Sequence, residues 1–593
     1  MSRVSTAVFV LLLCMAPLAL PAQKKPAKAA FPSQWDSLVD EFFNEAYFKF
    51  HPTIGTASGF HQYDPLLEDY SRAGVDAEIA ALKTQKGKLE HYDTAKLSHE
   101  QRDDWQLMVD YANSRLLTLE DLRMWEKDPD QYSSNPTNSI FVIMSRKFAP
   151  EDQRMLSVIQ REKKIPQVLE YARQNLKNPP KIYTEVALMQ VPGIVSFFQK
   201  DVPAAFPNVK NPRLLTQFRA VNHAVIQALE RYQTYLKDEL LPKSNGDFRI
   251  GAENFRKKLL YDEMVDIPLD RLLEIGMADL RKNQQWYKET AAKLDPNRTP
   301  EDILAEQGKD HPAPDKLLQT FRDTLGGLKE FIEKKKIITI PSPIPPIVQE
   351  TPPFARALTF ASMDTPGPFE KKATEAFFNV TLPEPGWKPE EVAEHMAGFN
   401  YGTIISTAVH EVYPGHYTQF LWVPQAPSKV RKLLGANSNA EGWAHYSEQM
   451  MLDEGYGRNT EPVPGKSDVE SKQFLKLRLG QLQDALLRNA RFIVGLQMHT
   501  GKMTFDEGID FFVKEGYQSR TNGERETRRG TSDPTYLYYT LGKLEILKLR
   551  EDYRKKMGSK FSLEEFHNRF MKEGFPPIKM IRRTMLGDDS PVL

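Results

Sequence analysis

Over most of the chain, apolar positions recur with the three-to-four-residue period of helices that bury one face. Their starts are marked. SHEQ (Ser98–Gln101), TFDE (Thr504–Glu507) and SLEE (Ser562–Glu565) have the spacing of capping boxes, and Thr299 precedes a proline at a first-turn position, Pro300. The last two boxes introduce GIDFFVKEG and FHNRFMKEG, which run to Gly516 and Gly574, the residue type that ends helices most readily. The apolar stripe LGQLQDALLRNARFIVGLQMH reads as core, and EKKK at 333–336 as a solvated face. The pattern predicts a mainly α protein.

One stretch breaks the pattern. Residues 337–354, IITIPSPIPPIVQETPPF, are too rich in proline for a helix and predict an extended connector. They divide an N-terminal helical half (31–336) from a shorter half (356–593), the connector being placed at 337–355. Just beyond, ARALTFASM and EAFFNVTLP carry β-branched and aromatic residues around the turn-rich DTPGPF, which predicts a small antiparallel β edge. EAFFNVT is the expected edge strand, of the kind that aligns an extended peptide by main-chain hydrogen bonds.

At the N-terminus, Arg3, the apolar AVFVLLLCMAPLAL and the small residue Ala22 read as a signal peptide over 1–22, followed by a flexible leader, 23–30. The chain is expected to be periplasmic or secreted. Cys14, the single cysteine, lies in the apolar run without the small residue expected before an acylated cysteine, so a lipoprotein is the less favoured reading. Cleavage after Ala22 leaves no cysteine for disulfides, thiol catalysis or Cys-type zinc sites. No other segment approaches the roughly 20 apolar residues of a membrane-spanning helix. Acidic and basic residues balance at 79 each, which gives no basic field for a nucleic acid.

The chemistry concentrates in TAVHEVYPGHYTQF, residues 407–420. It is close to HExxH, in which histidines four apart face one metal and the glutamate serves as base. His410 and His416, however, are six apart, which on a straight helix separates them by about 240° and about 9 Å. The two inserted residues are those that break helices best: Pro414 removes an N–H and clashes with the preceding turn, and Gly415 is expected to use a positive φ to redirect the chain. A break there would return His416 to the side of His410, with Glu411 placed as general base. A third ligand is available from NSNAEGWAHYSEQMMLDEG, where Glu441 and His445 stand one turn apart and spacing alone does not choose between them.

HEVYPGH, EGWAHYSE and the later YYTLGKLEILKLR resemble the signatures of the bacterial domain-of-unknown-function family 885, whose pattern is HExxPGH followed by EGWAxY. The resemblance covers most of the mature chain and is densest from about residue 356 onward. The family is similar to the gluzincin zinc metallopeptidases. The resemblance implies a large helical zincin-like fold, zinc as cofactor, His410, His416 and Glu441 as ligands, and Glu411 as base. It also matches Arg529 and Tyr539, in TRRGTSDPTYLYYTLGK beside Tyr536 and Tyr538, to positions that would hold an oxyanion or a substrate carboxylate. Tyr417 and His445 depart from the family pattern; His445 is expected to be a partner of the ligands or a substrate contact. His395 and His499 read as structural. The resulting expectation is an exported zinc metallopeptidase acting on oligopeptides. A zinc amidase for cell-wall peptides and a non-catalytic binding protein with a vestigial metal site are the alternatives.

Overall fold

Helices form where the apolar period and the caps coincide. In the computed structural model, which describes residues 33–352, 356, 359–458 and 471–593, Ser98 and Gln101 close a reciprocal box ahead of helix His99–Leu116. Thr504 and Glu507 do the same, whereas Ser562 caps the Glu565 N–H in one direction only. The signal peptide, the leader and Cys14 lie outside the described residues. The fold is mainly α with one small sheet.

We number only the elements that build or border the site. From the N-terminal half come α1 (Leu269–Leu294) and α2 (Pro300–Gln307, capped by Thr299). The sheet follows as β1 (Ile347–Glu350), β2 (Ala361–Asp364) and β3 (Phe377–Val380). Then come α3 (Pro389–Ala397), α4 (Tyr401–Glu411), α5 (His416–Trp422), α6 (Asn437–Asp453), α7 (Lys472–His499), α8 (Phe505–Lys514), α9 (Arg520–Ser532) and α10 (Tyr538–Met557).

The sheet corrects one expectation. β3, from EAFFNVT, is the central strand: β2 pairs with it antiparallel, as a hairpin should, and β1 pairs with it parallel on the other side. β1 comes from the connector, where IVQE is a proline-free island; the Ile347 N–H donates to the Ala376 carbonyl and Thr351 N–H to that of Val380. The open edge beside α4 is therefore β2.

Packing crosses the connector. Phe255, Leu272, Leu280 and Tyr287 from the N-terminal half share one core with Leu482, Leu486, Phe492 and Leu541. α7 is buried on nearly every side, as its apolar stripe predicts, and forms the central post against which α1, α4 and α9 pack. Among the described residues, no helix is long and apolar enough to cross a membrane.

Candidate functional site

The helix carrying HEVYPGH stops at Glu411 and restarts at His416. In the break, the Val412 and Tyr413 N–H groups both reach the Ala408 carbonyl, and Gly415 N–H reaches that of Val409 at 2.9 Å. The Tyr413–Pro414 peptide is cis. Gly415 has φ −66°, so its role is not the positive φ expected from sequence. It is required for space: a Cβ there would stand 1.8 Å from the His410 carbonyl oxygen and 2.3 Å from that of Val409. The break is tied from outside, since the Trp443 indole N–H donates to the Pro414 carbonyl at 2.9 Å.

Trp443 belongs to EGWAHYSE on α6, so the second motif buttresses the first. The third joins through glycine: a Cβ on Gly442 would meet Gly542 Cα at 2.5 Å, and one on Gly542 would meet the Ser438 carbonyl oxygen at 1.8 Å. α6 and α10 thus approach backbone to backbone.

This packing brings His410 and His416 together with ring centroids 4.8 Å apart, nearly perpendicular. Glu441 Oε2 lies 3.3 Å from the Nε2 of each and makes no hydrogen bond of good geometry to either. Among the described residues, these three form the one group of His, Cys, Asp or Glu side chains whose donor atoms lie together, within 4.8 Å. His445 is not part of it. Burial opposes charge on His410, but the carboxylates of Glu441 and Glu448 outweigh it and push its pKa up to about 9. Burial likewise opposes charge on Glu441, and His416 and His410 hold it well below the usual carboxylate range. The pocket favours positive charge between two imidazoles and a carboxylate.

Behind the cluster lies a residue that sequence reading passed over. Glu448 Oε1 accepts from His410 Nδ1 at 2.7 Å and from Arg488 Nη2 at 2.9 Å, and its other oxygen meets His445 Nδ1 at 3.1 Å. Glu448 stands seven residues after Glu441, on the same face of α6; that spacing was a usable signal. His445 is fully buried, with its pKa pushed down to about 3 by burial, so it is a neutral partner of Glu448 and not a substrate contact.

Glu411 ends α4, 9% exposed and outside the three-donor group. Tyr539 stacks towards His410 at 6.3 Å between ring centroids, and its hydroxyl lies 3.2 Å from Arg529 Nη2. Burial raises the Tyr539 pKa against the opposing pull of Arg529, which keeps the phenol protonated. Arg529 also pairs with Asp533 at 3.3 Å, and Asp533 accepts from Tyr538. Tyr536 instead packs under Gly495 and Gly530. His395 bonds the Thr381 carbonyl and His499 that of Gly530, both structural.

The sequence pattern of a family described as "Bacterial protein of unknown function (DUF885)" matches residues 52–585. Among curated proteins none matches. Two solved structures are similar across nearly the whole molecule. One, "a putative lipoprotein of unknown function from Shewanella oneidensis", is 27% identical, with a TM-score of 0.75 over 94% of this chain and 100% of the other. The second, "the putative lipoprotein from Colwellia psychrerythraea", is 17% identical, with a TM-score of 0.76 over 94% and 99%, and shares the fold.

Proposed function

The chain belongs to the DUF885 family of bacterial proteins, and from that premise we propose that it is an exported zinc-dependent peptidase acting on oligopeptides, a gluzincin in its ligand set and base. The observation that carries this reading is the convergence of His410 Nε2, His416 Nε2 and Glu441 Oε2, with 3.3 Å from the carboxylate oxygen to each nitrogen. Donors at the usual 2.0–2.2 Å from a tetrahedral zinc are about 3.3–3.6 Å apart. The donor chemistry fits as well: two imidazoles and one carboxylate make a catalytic set that leaves a fourth position open. Export is supported by the N-terminal sequence pattern and by the descriptions of the two similar structures.

A zinc ion held by His410, His416 and Glu441 would supply Lewis-acid polarisation of a peptide carbonyl and a water acidified towards neutral pH. The protein's own groups do the rest. Glu448 accepts the Nδ1 proton of His410, which fixes that ring's tautomer and turns Nε2 towards Glu441. The Glu411 carboxylate takes the proton of the attacking water and passes it to the leaving amine. Tyr539 donates its phenol proton as a hydrogen bond to the carbonyl oxygen while negative charge builds there, and Arg529 holds the Tyr539 hydroxyl in place.

Metal analysis together with mass-spectrometric profiling of a peptide library tests this. Purified protein should carry one zinc per chain and cleave free peptides, and Glu411→Gln should keep the zinc while losing about 100- to 10,000-fold in kcat. Absence of stoichiometric zinc, or unchanged hydrolysis by Glu411→Gln, would sink the mechanism. Cleavage of muropeptides but not of free peptides would move the assignment to a cell-wall amidase.

A further inference from the structure

A cavity of about 1000 Å3 opens between α2, α3, α8 and α9, walled by Leu304, Phe360, Trp387, His395, Tyr517 and Arg525. It does not include the three-donor cluster, yet it borders the elements that carry it. Asn400, which caps α4, lines it, as does Gln483 of α7, little more than a turn before Arg488. On α9, Arg525 stands four residues, about 6 Å along the axis, before Arg529, whose guanidinium touches Tyr539.

The charged groups around this cavity are not equivalent. Glu301, Lys309, Glu391, Glu394 and Lys514 are exposed at its rim. Glu391 accepts from the Lys388 N–H, Glu394 from Ser519 Oγ, and Lys514 pairs with Asp510. Arg525 is half-buried in the wall. Its guanidinium lies 4.1 Å from the Phe360 ring centroid and donates to Asn522 Oδ1 at 2.5 Å, and among the described residues no carboxylate is within ion-pair distance. The adjacent Glu526 is already gripped by Arg491 through two bonds of 2.6 and 2.9 Å. Gln483 Oε1, also on this wall, is buried without a hydrogen-bond partner among the described residues.

We infer that this cavity is a subsite for a carboxylate on the substrate, with Arg525 as its anchor and Gln483 as acceptor for a substrate peptide N–H; this rests on reading the His–His–Glu cluster as a peptidase centre. The arginine plane is preset by Phe360, and bidentate pairing with a carboxylate is the contact a guanidinium makes best. Phe360 directly precedes β2, the open edge beside α4, so a peptide extended along that edge ends near Arg525. The carboxylate belongs to a residue away from the bond cleaved, since the cavity does not include the three-donor cluster. It is either the C-terminus of a short peptide or an acidic side chain.

Calorimetric titration of the zinc-loaded, full-length Glu411→Gln protein separates these sources. The probes are acetyl-Ala-Ala-Phe-Ala as free acid, the same peptide as C-terminal amide, and the amides of acetyl-Ala-Ala-Glu-Ala and acetyl-Ala-Ala-Gln-Ala. The inference expects at least about tenfold tighter binding of the free acid than of its amide, or of the Glu amide than of the Gln amide. Adding Arg525→Gln should abolish that preference by lowering affinity for the preferred carboxylate probe to that of its neutral counterpart, with unchanged zinc content and far-UV circular dichroism reporting an intact fold; Arg525→Lys should keep part of the preference. Equal binding of acid and amide forms, or a preference that survives Arg525→Gln, overturns the inference. If the wild type shows the Arg525-dependent preference but cleaves none of these peptides, the peptidase reading fails and the carboxylate subsite stands.

Discussion

Glu448 gathers His410, His445 and Arg488 on one fully buried carboxylate. Its own pKa is held well below the usual range: burial opposes this, and the charge of Arg488 together with the hydrogen bonds from His410 and His445 prevails. Glu448→Gln keeps the shape but loses the charge that orients His410. Zinc affinity should fall about 10- to 100-fold, read by competition with a chromophoric chelator; an unchanged affinity would remove Glu448 from the site. His410, His416 and Glu411 are visible in the sequence because their chemistry and spacing are local. For Glu448 the spacing from Glu441 shows the helix face but not the role, because its partner on α4 is 38 residues away and only the crossing of α4 and α6 brings the two together.

The break between α4 and α5 was legible as a break, since proline and glycine in sequence leave a helix no continuation. The reason for glycine was not legible, because it depends on two carbonyl oxygens of the preceding turn. Gly415→Ala is expected to displace His416 and abolish stoichiometric zinc binding while far-UV circular dichroism changes little; full zinc occupancy in this variant would show that the turn can yield. At the other end of the same scale, α8 stops just before Gly516, as its sequence predicts, while the positive φ there belongs to the next residue, Tyr517, at 54°. The central place of β3 was hidden for a different reason: its parallel partner β1 comes from a proline-rich run that masks a four-residue strand.

Across the whole molecule, the helical class could be read from periodicity, but the way N-terminal helices fill the core behind α7 could not, since it rests on contacts hundreds of residues apart. A separate core of the N-terminal helices, around Met155, Val158, Ile159 and Val225, borders a titrating carboxyl. Glu162 is fully buried, one oxygen held by Asn222 at 3.2 Å and the other unpartnered, and burial pushes its pKa up to about 8. Its neutral form is favoured in the folded chain, so its contribution to stability is complete below pH about 4.5 and is lost as pH rises towards 8, by on the order of 4 kcal/mol. Glu162→Gln should therefore melt like the wild type at pH 4.5 and at higher temperature at pH 8. Equal melting temperatures at both would mean that the buried carboxyl is not neutral. The glycine contact between α6 and α10 sets another molecule-wide condition. Neither Gly442 nor Gly542 has room for a methyl group, and each is blocked by main chain that no neighbouring substitution can trim. A loss at one position cannot be repaired by a change at the other, so a saturation library covering both should return the parental pair alone, and directed evolution of this scaffold will have to route around the seam.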